Sequence, residues 1–356
     1  MKTRAERLLE SMQISGRQAV MLHNRSNMFY ISGYTGEGSL FLCCAQQAVI
    51  TDFRYTEQAE RQTGGYEIHM TDRDRPEESI ADQLRKKLGV DTIFYEDSSL
   101  TVRHFAKLRD AMPGVEWKSA GGAAEQMREV KDEAELALIR KACEITGDAY
   151  ERTLPKIREG MTEKEISLML EHDMRVLGAD AVAFTPIVAA GVNGSLPHAV
   201  ASDYRIRHGD MITMDFGAKL GGYCADMTRT IALGEPGEEL KKIYGIVQEA
   251  QRRAQDAVAA GKDCRAMDAL ARDYIDSRGY EGRFGHGLGH SLGIDIHENP
   301  RLSTGAIGVL KENQVMTVEP GIYLPGIGGV RIENTVVITR DGCRSLTSPA
   351  RDMIVL

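Results

Sequence analysis

The 356-residue chain carries 44 Lys and Arg against 52 Asp and Glu, a formal net charge of −8, with 42% hydrophobic residues. That is the composition of a globular chain long enough for two domains. Its acidity argues against nucleic acid or an anionic membrane as partner, since both call for a basic face. No run approaches the ~18 apolar residues of a membrane span, and the opening MKTRAERLLESMQ has no apolar signal-peptide core. The six scattered cysteines, without a CxxC, then read as reduced thiols of a cytoplasmic protein.

In chain order, AVMLHN (19–24) and SLFLCCAQQAVIT (39–51) read as apolar strands. PEESIADQLRKKLG (76–89) reads as a helix, with acids first, bases last and Gly89 at its end. DTIFYE (91–96) is a further strand. This alternation predicts a small α/β domain over residues 1–122, with GGAAEQ (121–126) as the seam to a second domain over 123–356. The second domain opens with a helix in which Leu136, Ile139, Cys143, Ile145 and Tyr150 recur at near-helical spacing.

Two stretches of this domain are alike. GMTEKEISLMLEHDMRVLG (160–178) and GKDCRAMDALARDYIDSRG (261–279) have the same length and are bounded by glycine at both ends. Thr162 and Glu165 have the spacing of a capping box; Gly178 and Gly279 sit where a left-handed C-cap belongs. Each is followed, about 40 residues on, by a β-rich segment bearing carboxylates. A duplicated helix-plus-sheet half and a chance likeness of two amphipathic helices are both open at this point.

The carboxylates carry the chemistry. MITMDFGAKLGGYCADMTRTIAL (211–233) reads as two β-runs joined at a glycine-rich turn. A hairpin centred on Leu220-Gly221 places Asp215 directly opposite Asp226, with Cβ atoms roughly 5 Å apart. Two carboxylates that close repel unless a cation lies between them. Glu319 ends the apolar QVMTVEPG, and Glu333 shares one face of GGVRIENTVVIT with Arg331. Each acid alone has the ordinary reading of a surface strand residue. Together with His290, in a segment (FGHGLGHSLGIDIHENP, 284–300) that packs His286, His290 and His297 into twelve residues, they form an oxygen-rich set with one nitrogen. Such a set suits two carboxylate-bridged divalent ions of the Mn²⁺, Co²⁺, Zn²⁺ or Fe²⁺ class; Mg²⁺ or Ca²⁺ would rarely recruit histidine. GHGLG lacks the following Lys-Ser/Thr of a phosphate loop, and DFG (215–217) lacks any kinase context. His23, His69, His104, His172 and His208 show no partner pattern and are expected to be exposed.

These words resemble the pita-bread metallopeptidases, a family that includes methionine aminopeptidase, aminopeptidase P and prolidase. The four acids and His290 match the family's five ligands in order and local sequence. SNMFYISGYTGEGSLFL and ITDFRYTEQAE resemble the N-terminal domain of its proline-specific and creatinase branch. The resemblance implies an α+β protein: a pita-bread catalytic domain, a curved antiparallel sheet with helices, preceded by a smaller α/β domain. It implies two divalent ions per chain, Mn²⁺ foremost, held by Asp215, Asp226, His290, Glu319 and Glu333, with Asp226 and Glu333 bridging both. Glu319 would shuttle the proton, and His198 and His297 would bind the substrate and the developing oxyanion. His286, Phe184, Tyr323 and Arg331 would belong to the substrate pocket. The implied activity is hydrolysis of Xaa-Pro bonds in short peptides, by a cytoplasmic homodimer. Arg301, four residues beyond His297, is placed to hold the free carboxylate of a dipeptide, which points to a dipeptidase (prolidase). The alternatives are an aminopeptidase P acting on longer peptides, a non-catalytic binding module of the same fold, and a hydrolase of non-peptide amides.

Overall fold

The computed structural model describes residues 2–356, and two compact units divide after Arg128. In the first unit β1 (Gln18–Leu22), β2 (Ser39–Leu42), β3 (Gln47–Asp52), β4 (Glu67–Thr71), β5 (Thr92–Tyr95) and β6 (Glu116–Ser119) form one mixed sheet in the order β4-β3-β2-β1-β5-β6. Only β2 runs antiparallel to its neighbours. Ile80, Ala81 and Leu84 of the helix Glu77–Leu88, with Leu108 of the helix Val102–Ala111, pack on Met21, Phe41, Ile50 and Ile93 of the sheet. Gly89 ends the first of these helices in the left-handed region, as expected.

The expected single strand 39–51 is instead the hairpin β2–β3. Cys43 and Gln46 exchange backbone hydrogen bonds at its turn, which contains no Gly, Pro or Asn to mark it. His23 and Asn24 are not strand either: Asn24 caps the helix Arg25–Ser32 by accepting from the amides of Ser26 and Asn27. The stretch read as a seam is partly helical, since the helix Ala123–Arg128 belongs to the first unit.

The second unit builds on β7 (Ala181–Val182), β8 (Ile187–Ala190), β9 (Met211–Phe216), β10 (Ala218–Leu220), β11 (Tyr223–Cys224) and β12 (Met227–Ala232). It continues with β13 (Gly289–Ser291), β14 (Glu298–Leu302), β15 (Val315–Val318), β16 (Gly321–Leu324), β17 (Gly328–Arg331), β18 (Asn334–Ile338) and β19 (Cys343–Ser345). Every pair of these named strands is antiparallel.

The sheet β12-β9-β8 shares a core with the helices Glu133–Thr153 and Glu163–Val176, through Ile145, Tyr150, Ile166, Leu170, Met214 and Ile231. The sheet β14-β13-β15-β18-β19 shares another with the helices Glu238–Ala257 and Cys264–Ile275, through Ile243, Val247, Ala271, Met316 and Val336. The two alike sequence stretches therefore lie in matching halves. Thr162 and Asp263 cap the second helix of each pair, Thr162 in the expected box with Glu165. Each cap residue also forms an isolated antiparallel bridge to a later loop, Thr162 to Arg205 and Asp263 to Val309. A chance likeness of two helices does not predict such paired tertiary contacts, so the duplicated half is the reading that holds.

Candidate metal centre

The five implied ligands sit in or beside strands of both halves. Asp215 lies within β9, Asp226 at the break between β11 and β12, His290 within β13, Glu319 just past β15 and Glu333 between β17 and β18. The hairpin that carries the first pair has a different register from the one expected. Leu220 pairs with Tyr223 and Asp215 with Thr228, so the two-residue loop is Gly221-Gly222. Both loop residues have positive φ, 57° and 85°. Short hairpin loops of this hand require that at both positions, and a centre at Leu220-Gly221 would have asked it of leucine. The shift is two residues, so side chains stay on the same face: Asp226 becomes a diagonal rather than a direct neighbour of Asp215.

One oxygen from each of Asp215, Asp226 and Glu333 lies within 4.8 Å of the others. His290 completes the group, its Nε2 3.6 Å from Asp226 Oδ2 and 3.3 Å from Glu319 Oε1. The imidazole is aimed by its other nitrogen, Nδ1 bonding the Ser291 carbonyl at 3.1 Å, which leaves the Nε2 lone pair for a cation held among the acids. Burial, then His297 nearby, pushes the His290 pKa down to about 3, so the ring is neutral. Gly289 precedes it because a Cβ there would lie 2.1 Å from the Thr317 carbonyl oxygen; only glycine lets β13 approach β15 this closely.

Two threonines fix the acids. Thr228 donates to Glu333 Oε2 at 2.7 Å, and Thr317 donates to Glu319 Oε1 at 2.9 Å while accepting from the His290 amide at 3.0 Å. Sequence reasoning passed over both, although each stands two residues from a named acid in a strand, a spacing that shares a face. Arg331 donates to Asp215 Oδ2 at 2.7 Å and to the Tyr323 hydroxyl at 2.9 Å, and the same hydroxyl bonds His286 Nε2 at 2.8 Å.

The electrostatics are those of a cation site. Burial, then Glu333 and Asp215, pushes the Asp226 carboxyl well up. Burial, then Glu319 and Asp215, does the same to Glu333, and burial raises Glu319 to about 8. Oδ1 of Asp215, Oδ1 of Asp226 and Oε1 of Glu333 are all buried without a hydrogen-bond partner. Buried carboxylate oxygens left unpaired are costly, and one such oxygen on each of three converging acids fits divalent cations as the missing partner. The donor chemistry, four carboxylates and one neutral imidazole, fits the same ions.

The acids open on a cleft of ≈ 400 Å³. Phe184, His198, His286, His297 and Arg301 line it, together with the five candidate ligands and Arg331. Tyr323 reaches it through its bonds to His286 and Arg331. His198, His297 and Arg301 are solvent-exposed at the rim, while Phe184 is half-buried. His297 packs edge-on against His290 at 4.4 Å between ring centres. Burial, then Arg301 and His198, holds its pKa below the usual imidazole value. Arg301 pairs with His290 across β13–β14, and no carboxylate among the described residues forms an ion pair with it.

Residues 137–340 match the description "Metallopeptidase family M24", and residues 4–130 match "Creatinase/Prolidase N-terminal domain". The chain belongs to metallopeptidase family M24. Its fold is therefore the expected one, a mixed N-terminal domain followed by the antiparallel pita-bread catalytic domain of this family. Among family M24 relatives, the Xaa-Pro dipeptidase of Pyrococcus horikoshii is 37% identical over 99% of both chains. Of solved structures, the Xaa-Pro dipeptidase from Bacillus anthracis superposes with a TM-score of 0.95 at 40% identity, over 99% of each chain. The X-Pro aminopeptidase from Thermotoga maritima superposes at 0.91 with 39% identity, over 99% of this chain and 100% of that one. As an M24 metallopeptidase the chain is a peptidase that works with divalent metal ions. No helix among the described residues is long and apolar enough to cross a membrane, and all six cysteines are free.

Proposed function

We propose that this chain is a dinuclear Xaa-Pro dipeptidase, with Mn²⁺ as its resident ion, acting on short proline-containing peptides as a cytoplasmic homodimer. The observation that carries the reading is the buried convergence of Asp215, Asp226 and Glu333, each with an unpartnered oxygen, beside His290 and Glu319. Full-length likeness to proteins named Xaa-Pro dipeptidase supports the substrate class. These five residues would hold the ions, with Asp226 and Glu333 shared between them. Bound there, the ions would acidify a water and polarise the scissile carbonyl.

The remaining steps fall to side chains of this chain. Glu319, whose Oε1 accepts from Thr317, takes the proton of the attacking water and passes it to the proline nitrogen as the peptide bond breaks. His297 and His198, on the cleft wall, donate to the oxygen that gathers charge. His297 suits this because it is a neutral donor at neutral pH. Phe184 and Ile187 supply apolar surface for the proline ring, and His286, tied to Tyr323 and Arg331, shapes the wall opposite.

Arg301 is the residue through which we would separate dipeptidase from aminopeptidase. An enzyme confined to dipeptides must hold a carboxylate directly after proline; one that trims longer chains must leave that side open. A guanidinium without a carboxylate partner, at the rim of the cleft, suits the first. The likeness to the X-Pro aminopeptidase of Thermotoga maritima favours the second reading enough for it to be tested. Arg301→Ala is expected to raise KM for an Xaa-Pro dipeptide about 10–100-fold with little change in kcat, since a hydrogen bond to a charged group is worth ~1.5–3 kcal/mol. An unchanged KM would remove Arg301 from substrate recognition and return the chain to the aminopeptidase reading.

A further inference from the structure

Four polar side chains of the N-terminal unit, far apart in sequence, meet at the carboxyl end of β1. His23 immediately follows β1. Ser39 opens β2, the antiparallel neighbour of β1, in which Leu40 pairs with Leu22. Glu77 is the first residue of the helix Glu77–Leu88, and His104 lies in the first turn of the helix Val102–Ala111. Of the five histidines expected to be exposed, His172 and His208 are; His23, His69 and His104 are partly buried, and two of these three join this cluster.

Glu77 Oε1 accepts from the Ser39 hydroxyl at 2.5 Å and meets His23 Nε2 at 2.8 Å, while Oε2 meets His104 Nε2 at 2.8 Å. The two rings stand edge-on, 4.9 Å apart. We infer that His23, Glu77 and His104 form a second metal site, separate from the catalytic group, for a divalent ion of the zinc class. Both imidazoles already present Nε2 to one carboxylate. The ligand atoms all lie within 4.8 Å of one another, against the ~3.3 Å separations of a tetrahedral zinc with ~2.0–2.1 Å bonds. Two nitrogens and one carboxylate oxygen make a borderline donor set that favours zinc over the harder ions suited to the oxygen-rich catalytic group.

The surroundings agree with a cation. The Glu77 side chain is 18% exposed. Its two carboxylate oxygens converge on the Ser39 hydroxyl and both imidazoles. The His23 side chain is only 8% exposed, and its Nδ1 is buried without a partner. His104, at 35% exposure, leaves one side open for the ion to enter and for a solvent ligand. The carboxyl end of a parallel strand is also where open α/β sheets bind ligands.

The test is a zinc count on the full-length protein, stripped with chelator, reloaded with Zn²⁺ and desalted. Wild type should hold one more zinc per chain than His104→Ala. His104→Cys, which returns a zinc ligand, should recover that equivalent. Both variants, reloaded with Mn²⁺, should keep wild-type kcat/KM on an Xaa-Pro peptide, which also shows that they fold. Equal zinc content in wild type and His104→Ala would overturn the site, as would a deficit that His104→Cys fails to restore. The count is a difference between variants intact at the catalytic group, so its outcome does not depend on the dipeptidase reading.

Discussion

Asp226→Ala is expected to cost at least one metal ion per chain and on the order of 10³-fold or more in turnover, with the fold retained. Asp226 is buried and faces Asp215, Glu333 and His290 at once, so its loss removes the carboxylate shared by most of the group. Residues that merely support metal ligands are worth about 10–100-fold, and a shared ligand should exceed them. Elemental analysis and peptidase assay on one sample check this; two ions per chain in the variant would contradict the shared role. Stability gives an independent readout, and its sign follows from the raised carboxyls. Glu319, pushed up to about 8, binds its proton more tightly folded than unfolded, as do Asp226 and Glu333. Their contribution is fully present below the ordinary carboxyl range and is lost as pH rises through about 8. Metal-stripped wild type should therefore melt lower at pH 8 than at pH 6. Added metal should flatten the difference, and stripped Asp226→Asn, with one charge fewer, should show a shallower decline.

His297→Ala should leave the metal content at its wild-type value and lower kcat by roughly 10²–10³-fold, the scale of one lost oxyanion donor. The ring touches His290 edge-on but is itself exposed at the cleft, so removing it leaves no buried cavity and no unpaired acid. A variant that lost metal would show that His297 supports His290. One that kept both metal and turnover would take His297 out of the reaction. The contrast with Asp226→Ala separates holding the ions from using them.

The carboxylates and His290 were legible because each stands in a short, distinctive word whose residue types have few other uses together. The register of their hairpin was not. Leu220-Gly221 and Gly221-Gly222 are both plausible loops by spacing, and only the demand for positive φ at two successive positions selects the second. The β2–β3 hairpin was hidden for the opposite reason: its turn at Cys43–Gln46 has no residue that announces one. Thr228 and Thr317 were within reach of strand periodicity and were overlooked because threonine suits a strand without any further role. The His23–Glu77–His104 cluster could not have been seen at all. Its members come from three separate loop-to-helix or strand-end positions, and only the order of the sheet brings them together. The faint repeat in the second unit became evidence only when both helix caps proved to bridge to equivalent loops.

The most direct test of the account compares kcat/KM for an Xaa-Pro dipeptide with that for the same peptide extended by one or two residues, using the Mn²⁺-loaded wild type. Arg301 held against a free carboxylate predicts a preference for the dipeptide of about 10–100-fold. Faster cleavage of the extended peptide would contradict the dipeptidase reading and make the chain an Xaa-Pro aminopeptidase built on the same metal centre.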